Sequence, residues 1–290
     1  MNLHKPKLVL KGLLVLVALP TLIYAGEIKH KRFVYEVKKN KQPLEIKLNI
    51  DVGEIVLKPT TESRKLTLDF TYSVDRFEVE SNFNAERNRL QVYFDMKDWF
   101  KGNTDGDGNE GRAEIQLPTD VEIELRSRVK AGEIHYELGG LRLRYFYFKV
   151  WAGEVTVRFE KCNPVKLEDM EFNVKIGEVR LEKLGNARFQ EAVINGGIGE
   201  MWVDLTGDCV PEFLQRVDLD LDIGETKLIL PRDRAIKLQV SKFLFMSEIV
   251  IPDEFYHHGK YYYSPSYEKS ENPLNLKLSP GLGSLDIRLR

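Results

Sequence analysis

Oxygen-bearing side chains recur at a ligand-like spacing in the segment that begins at Asn103. Asn103, Asp105, Asp107, Gly108 and Glu114 fall at positions 1, 3, 5, 6 and 12 of a calcium-loop pattern. That pattern needs oxygen ligands at alternate positions and a glycine at its sharp turn. Asn stands where the first Asp is usual, and the strand-like runs YFDM and AEIQL flank the segment in place of helices. A solvated Asp/Gly connection therefore competes with a Ca2+ site built from Asn103, Asp105, Asp107 and Glu114. No other cofactor is expected.

A second constellation combines cations with aromatic rings. In RYFYFKVWAGE, strand alternation turns Phe146, Phe148 and Val150 inward and leaves Tyr145, Tyr147, Lys149 and Trp151 outward. One unit earlier, Arg126, Arg128 and Lys130 take equivalent outward places. Such a strip suits a protein or an anionic glycan, unless another segment covers it. Asp218, Asp220 and Asp222 occupy the same outward places four units later, so this face is expected to run from basic to acidic. That polarity would support end-to-end or antiparallel self-association, against the plainer reading of a solvated charged face. In EFYHHGKYYYSPSYEKSENP, the adjacent His257 and His258 point opposite ways on an extended chain, so they are poor joint metal ligands. This tyrosine-rich segment is expected to cap an end of the fold or to touch a partner.

These residues need strands to position them. Beyond Gly26 apolar residues alternate, as in LEIKLNIDV, KLTLDFTYSV and VEIEL, which makes the fold all-β. One unit recurs around a Gly-Glu pair, with glycines at 53, 132, 153, 177, 199 and 224, and looser copies at Ser247 and Gly283. From Gly132 to Ser247 the steps are 21, 24, 22, 25 and 23 residues. Inward positions in the fourth copy read as Val174, Ile176, Val179 and Leu181, so the Gly-Glu pair is a corner joining two strands that face one core. A two-residue hairpin and a coil corner both satisfy this parity. The regular period favours stacked coils and a single-domain parallel β-solenoid with corners every 21–25 residues. At about 4.8 Å per rung, Glu54, Glu133, Glu154, Glu178, Glu200, Glu225 and Glu248 would form a carboxylate ladder. Simple solvation of each corner is the plainer reading.

The segments GGIGEMWVDLTGD, DLDIGETKLILPRDRAIKLQVS and GLGSLDIRL resemble the toast-rack domains of bacterial envelope proteins. Those include the C-terminal domain of cell-wall-antibiotic response proteins and broad adhesin-like families. The resemblance covers about residues 113 to 290, with 26–112 as a more variable front part. It implies a single β-solenoid domain in the envelope and no catalytic set. Ser247 in place of glycine, and the long insertion after it, depart from the pattern.

Residues 1–25 read as a secretory signal peptide: Lys5, Lys7 and Lys11 precede an apolar run from Gly12 to Ile23, and Ala25 precedes Gly26. The run is shorter than the roughly 20 residues of a membrane span, although Pro20 and Ile23 keep an uncleaved anchor open. The chain carries 43 basic and 45 acidic residues; losing three lysines moves its formal charge from −2 to −5, with no basic excess for nucleic acid. Cys162 and Cys209, two rungs apart at about 9–10 Å, are expected to remain separate thiols. No Gly-x-Ser-x-Gly, His-Glu-x-x-His, Cys-x-x-Cys or phosphate-binding loop occurs. The expected function is a non-enzymatic, periplasmic, secreted or surface module that binds protein or glycan through a solenoid face. The alternatives are an envelope-stress sensor acting with a membrane partner, or a polysaccharide-degrading enzyme using the Asp218 row and Glu225.

Overall fold

The computed structural model describes residues 27–38, 42–97, 111–209, 211–241, 247–269 and 271–290. The expected signal segment lies outside them. Among the described residues no helix is long and apolar enough to cross a membrane.

Among the described residues, seventeen strands form one continuous sheet. They are β1 (Ile28–Glu36), β2 (Leu44–Thr60), β3 (Lys65–Ser73), β4 (Phe77–Asn84), β5 (Arg89–Met96), β6 (Arg112–Pro118), β7 (Glu122–Glu137), β8 (Arg142–Arg158) and β9 (Leu167–Glu182). Then follow β10 (Phe189–Asp204), β11 (Gln215–Leu230), β12 (Ile236–Val240), β13 (Ser247–Val250), β14 (Tyr256–His258), β15 (Tyr261–Tyr263), β16 (Leu274–Ser279) and β17 (Leu282–Leu289).

The middle of the molecule is a parallel stack in the order β2, β7, β8, β9, β10, β11. Each of these strands runs through its glycine without interruption, and the glycines pair in register: Gly53 with Gly132, then Gly153, Gly177, Gly199 and Gly224. The corner is therefore a coil corner and not a hairpin. Its glycines have φ between 141° and 149°, a region that side chains on Cβ disfavour. A Cβ on Gly177 would lie closer than 3.0 Å to the Gly153 carbonyl oxygen.

The two limbs on either side of each corner enclose the core. Val174 before the bend and Val179 and Leu181 after it are buried, as alternation requires. Ile176 is not: it is 54% exposed, which corrects the inward assignment made from parity. The residue before the glycine belongs to the outside of the bend, where the alternation slips by one. Between the limbs, Phe146, Phe148 and Phe172 pack at 5.2–6.3 Å between ring centroids. Ser127 on the first limb of β7 hydrogen-bonds the Tyr136 hydroxyl on its second limb at 2.8 Å. Tyr136 is fully buried, and burial pushes its phenol well above the ordinary range.

Chain order and stacking order diverge at the end. β16 and β17 pair with β11, placing Gly283 on Gly224, while β12 and β13 stack outside them and Ser247 pairs with Gly283. The last coil is thus inserted between its two predecessors. The tyrosine-rich segment forms the β14–β15 hairpin, and β15 pairs antiparallel with β12 at that end of the stack. His257 packs on Tyr262 with centroids 4.6 Å apart.

Cys162 and Cys209 form a disulfide with Cα atoms 6.1 Å apart, against the expectation of separate thiols. Both cysteines lie in loops beyond their strands, where straight-rung spacing does not apply. Between those loops the chain makes a short 3-10 turn at Leu184–Ala187. The buried Asn186 accepts the Asp208 N–H at 2.7 Å and donates to the Phe159 carbonyl at 2.9 Å, drawing the outer loops together. The rungs beneath stay in register, so the bridge does not disturb the stacking.

Two stability measurements test this description. Gly177→Ala should cost about 3 kcal/mol in denaturant unfolding through φ strain and the carbonyl clash, and a loss below about 1 kcal/mol would contradict the corner constraint. Reducing the disulfide, which closes a 47-residue separation, should cost about 4 kcal/mol by chain entropy.

Candidate functional site

The first limbs of the stacked strands present a flat outer face, whose rows follow from the pairing register. One row reads Lys47, Arg126, Tyr147, Glu171, Val193, Asp218, Lys277. The next reads Asn49, Arg128, Lys149, Asn173, Asn195, Asp220, Ser279. A third, nearest the corner, carries Asp51, Lys130, Trp151, Lys175, Gly197 and Asp222 between flanking register pairs.

The structure brings the expected strip together. Arg126, Arg128 and Lys130 are exposed, Tyr145, Tyr147 and Lys149 are half-buried, and Trp151 is 63% exposed. No described segment covers Trp151. Arg128 lies over the Tyr147 ring, 5.3 Å from its centroid, and Lys130 pairs with Asp51 at 2.6 Å. Tyr145 stands at the edge of the strip. A register shift between Ile123 and Glu124 brings Arg144 beside it, and both Tyr145 and Arg144 donate to Glu168. The Tyr145 hydroxyl first, then the Arg144 guanidinium, hold the Glu168 carboxyl below its usual range, while the carboxylate raises the Tyr145 phenol.

The acidic end sits where alternation put it. Asp218, Asp220 and Asp222 are exposed on β11, and Asp218 has Lys277 3.7 Å away. The corner glutamates are also in register, Glu54 to Glu225 on six consecutive rungs, followed by Ser284 and then Glu248. Arg112 binds Glu54 at 2.6 Å and His135 meets Glu133 at 2.8 Å. From Glu154 to Glu225 the carboxylates face solvent. Among the described residues no three His, Cys, Asp or Glu side chains converge as a metal set.

Of the calcium-loop residues, Asn103, Asp105 and Asp107 lie outside the described residues. Glu114 is on β6, where Lys58 at 2.7 Å and Gln116 at 2.9 Å occupy its carboxylate. Those two hydrogen bonds lower its carboxyl pKa.

Two features were missed from sequence. Ile176, Ile198 and Ile223, in register before the corner glycines, form an exposed apolar ladder at 54%, 52% and 46% exposure. Their shared offset from the glycine was the available signal. On the second limbs, Trp202 lies between Arg180 and Lys227, whose charges are 5.9 and 4.8 Å from its ring centroid. The in-register row Arg180, Trp202, Lys227 was readable from the same offset.

Residues 25–168 match the model of the N-terminal domain of toast_rack. No curated protein matches the sequence. Among solved structures, a proposed cell adhesion protein from Clostridium sporogenes is 17% identical, covering 90% of this chain and 100% of its own, with a TM-score of 0.45. A proposed adhesin from Bacteroides fragilis is 12% identical over 89% of this chain and 97% of its own, with a TM-score of 0.35. A proposed lipid binding protein from Parabacteroides distasonis is 12% identical over 90% and 96%, with a TM-score of 0.29. At these values the likeness assigns no role, and the fold rests on the strand register.

The Glu168 cluster gives a pH prediction. A depressed carboxyl stabilises the fold above its unfolded pKa and loses that contribution as pH falls through the folded value. Because the group is about one-third exposed, Glu168→Gln should cost less than about 1 kcal/mol at pH 7. The difference from wild type should shrink below pH about 4.5 in urea unfolding; a gap that widens on acidification would contradict the assignment.

Proposed function

We propose that this chain, a member of the toast-rack family, is a non-catalytic, extracytoplasmic interaction module that binds protein or glycan through the first-limb face. The observation that carries the reading is the outward-facing, in-register strip of Arg126, Arg128, Lys130, Tyr145, Tyr147, Lys149 and Trp151. Its chemistry is that of a contact surface. Aromatic rings supply large, stiff contact area, and guanidinium and ammonium groups supply donors and charge.

The stack supplies pre-organisation. Tyr147 and Lys149 alternate with the buried Phe146, Phe148 and Val150, so the outer groups project from a strand whose inward side chains are packed into the core. Binding to such a face loses little conformational entropy, which favours affinity without a deep cleft. The basic, then apolar, N-terminal segment supports an address outside the cytoplasm. Calcium at Asn103, Asp105, Asp107 and Glu114 is part of the proposal as a ligand and not a catalyst, and would have to displace Lys58 from the Glu114 carboxylate.

The test is a pull-down from envelope extract with wild type and with Tyr147→Ala/Trp151→Ala. The double variant should lose at least one partner retained by wild type, with roughly a tenfold or greater loss of affinity, as expected for truncated aromatic anchors. Retention of every partner would remove the strip from the proposal.

A further inference from the structure

The face that carries the strip has a property that none of its residues has alone. Its basic strand, β7, and its acidic strand, β11, lie symmetrically about β9, two rungs to either side. Within those strands, Arg126 shares a row with Asp218, Arg128 with Asp220, and Lys130 with Asp222. We propose that this face is the interface of a two-fold dimer of the chain, with the basic strand of each copy lying over the acidic strand of the other.

The symmetry operation follows from the rows. A two-fold axis lying between the faces, parallel to the strands and above β9, reverses the rung order and keeps every row in place. β7 then lies over β11 of the second copy, so Arg126 meets Asp218, Arg128 meets Asp220 and Lys130 meets Asp222, each twice. β8 lies over β10. There Tyr147 faces Val193, Lys149 faces Asn195, and the protruding Trp151 faces Gly197. Gly197 has no side chain, and a Cβ there would lie closer than 3.0 Å to the Lys175 carbonyl oxygen, so this position is bare backbone opposite the largest ring. The alternative face-to-face operation, an axis along the stack, sets β7 on β7 and β11 on β11. It opposes like charges throughout and is excluded.

Two existing ion pairs and two self-facing charges work against the pairing. Lys130 already pairs with the buried Asp51 at 2.6 Å and keeps that partner, turning its other ammonium donors to Asp222 of the second copy; the exposed pair of Asp218 with Lys277, at 3.7 Å, exchanges partners easily. Glu171, which accepts from Asn173 at 2.7 Å, and Lys175 lie on β9 near the axis, and each faces its own copy, two like-charge contacts set against six opposite-charge pairs. Asn173 and Asn195, joined at 2.8 Å, supply further donors and acceptors across the join.

The size of the face sets the strength. Five rungs at about 4.8 Å and seven residues at about 3.3 Å give roughly 550 Å² per copy, or about 1,100 Å² in total. That is the low end for specific association, so the dimer is reversible and salt-sensitive and not permanent. The proposal rests on the reading of this face as a contact surface and names a second copy as its occupant.

Charge reversal tests it. Sedimentation velocity at about 0.02 M salt should show a concentration-dependent dimer that dissociates by about 0.5 M. Arg126→Glu/Arg128→Glu/Lys130→Glu should be monomeric alone, as should Asp218→Lys/Asp220→Lys/Asp222→Lys. An equimolar mixture of the two triple variants should dimerise at least tenfold more tightly than either, because both halves of the interface are again complementary. Restored pairing also shows that both variants fold. Wild type that stays monomeric at low salt, triple variants that still dimerise alone, or a mixture without rescue would each overturn the dimer. A monomeric protein whose envelope partner is nevertheless lost on Tyr147→Ala/Trp151→Ala would overturn the dimer alone and leave the contact-surface reading standing. Absence of both effects would remove both.

Discussion

From Gly132 onward, each corner glycine is fitted against the carbonyl oxygen of the corner glycine on the neighbouring rung. From Gly132 to Gly224, and again at Gly283, the space a Cβ would need is filled by that oxygen, and the backbone holds φ near 140°. Stacking and bending are therefore a single requirement. A strand can turn there only by giving up its side chain, and giving it up lets the next strand sit directly above. Everything else inherits this register. The inward sets meet as layers, the Phe146, Phe148 and Phe172 rings among them, and any outward residue finds its row from its offset to the glycine.

That inheritance explains what could be read without coordinates. The offset placed Arg126, Tyr147 and Asp218 on one row, and the register confirms it. It failed at Ile176 because alternation describes a straight strand, whereas the bend consumes one residue whose side chain leaves on the convex side. It failed at the cysteines for a related reason. Rung spacing governs strands, but Cys162 and Cys209 lie in connecting loops, where the Asn186 hydrogen bonds set the path. The order of the last coils was misleading because Ser247 follows Gly224 at the repeat spacing. The Gly224 carbonyl oxygen leaves no room for a Cβ, so the glycine at 283 takes the place on Gly224 and Ser247 stacks outside it.

The ends of the stack show how a parallel repeat is stopped. At one end β2 is covered by β5 and β6 in parallel, and these are backed by β4 and β3 in antiparallel pairing, with β1 antiparallel to β3. At the other, β12 receives the antiparallel β15. An antiparallel strand satisfies the exposed edge without offering the next coil a matching template, which limits edge-to-edge growth. The repeat is thus confined to the middle of the sheet, where the charged face lies.

In-register stacking also places like residues above like, and charge makes that consequential. Two carboxylates about 5 Å apart repel by about 1 kcal/mol in bulk water, and by several times that against a sheet surface of lower effective dielectric. The uninterrupted row from Glu54 to Glu225 is confined to the corner, where the side chains from Glu133 onward are exposed and water screens them. On the flat first-limb face the arrangement differs. Between Arg126 and Asp218 stand Tyr147, Glu171 and Val193, and between Arg128 and Asp220 stand Lys149, Asn173 and Asn195, so along each of these rows at least one neutral side chain separates opposite charges. Spacers of this kind keep opposite charges from pairing along the rows between β7 and β11, and only at the flanks do Lys130 and Asp218 meet Asp51 and Lys277. The separation of basic from acidic rungs is therefore a stable property of the stack, and it leaves the attraction between them to be satisfied by something outside it.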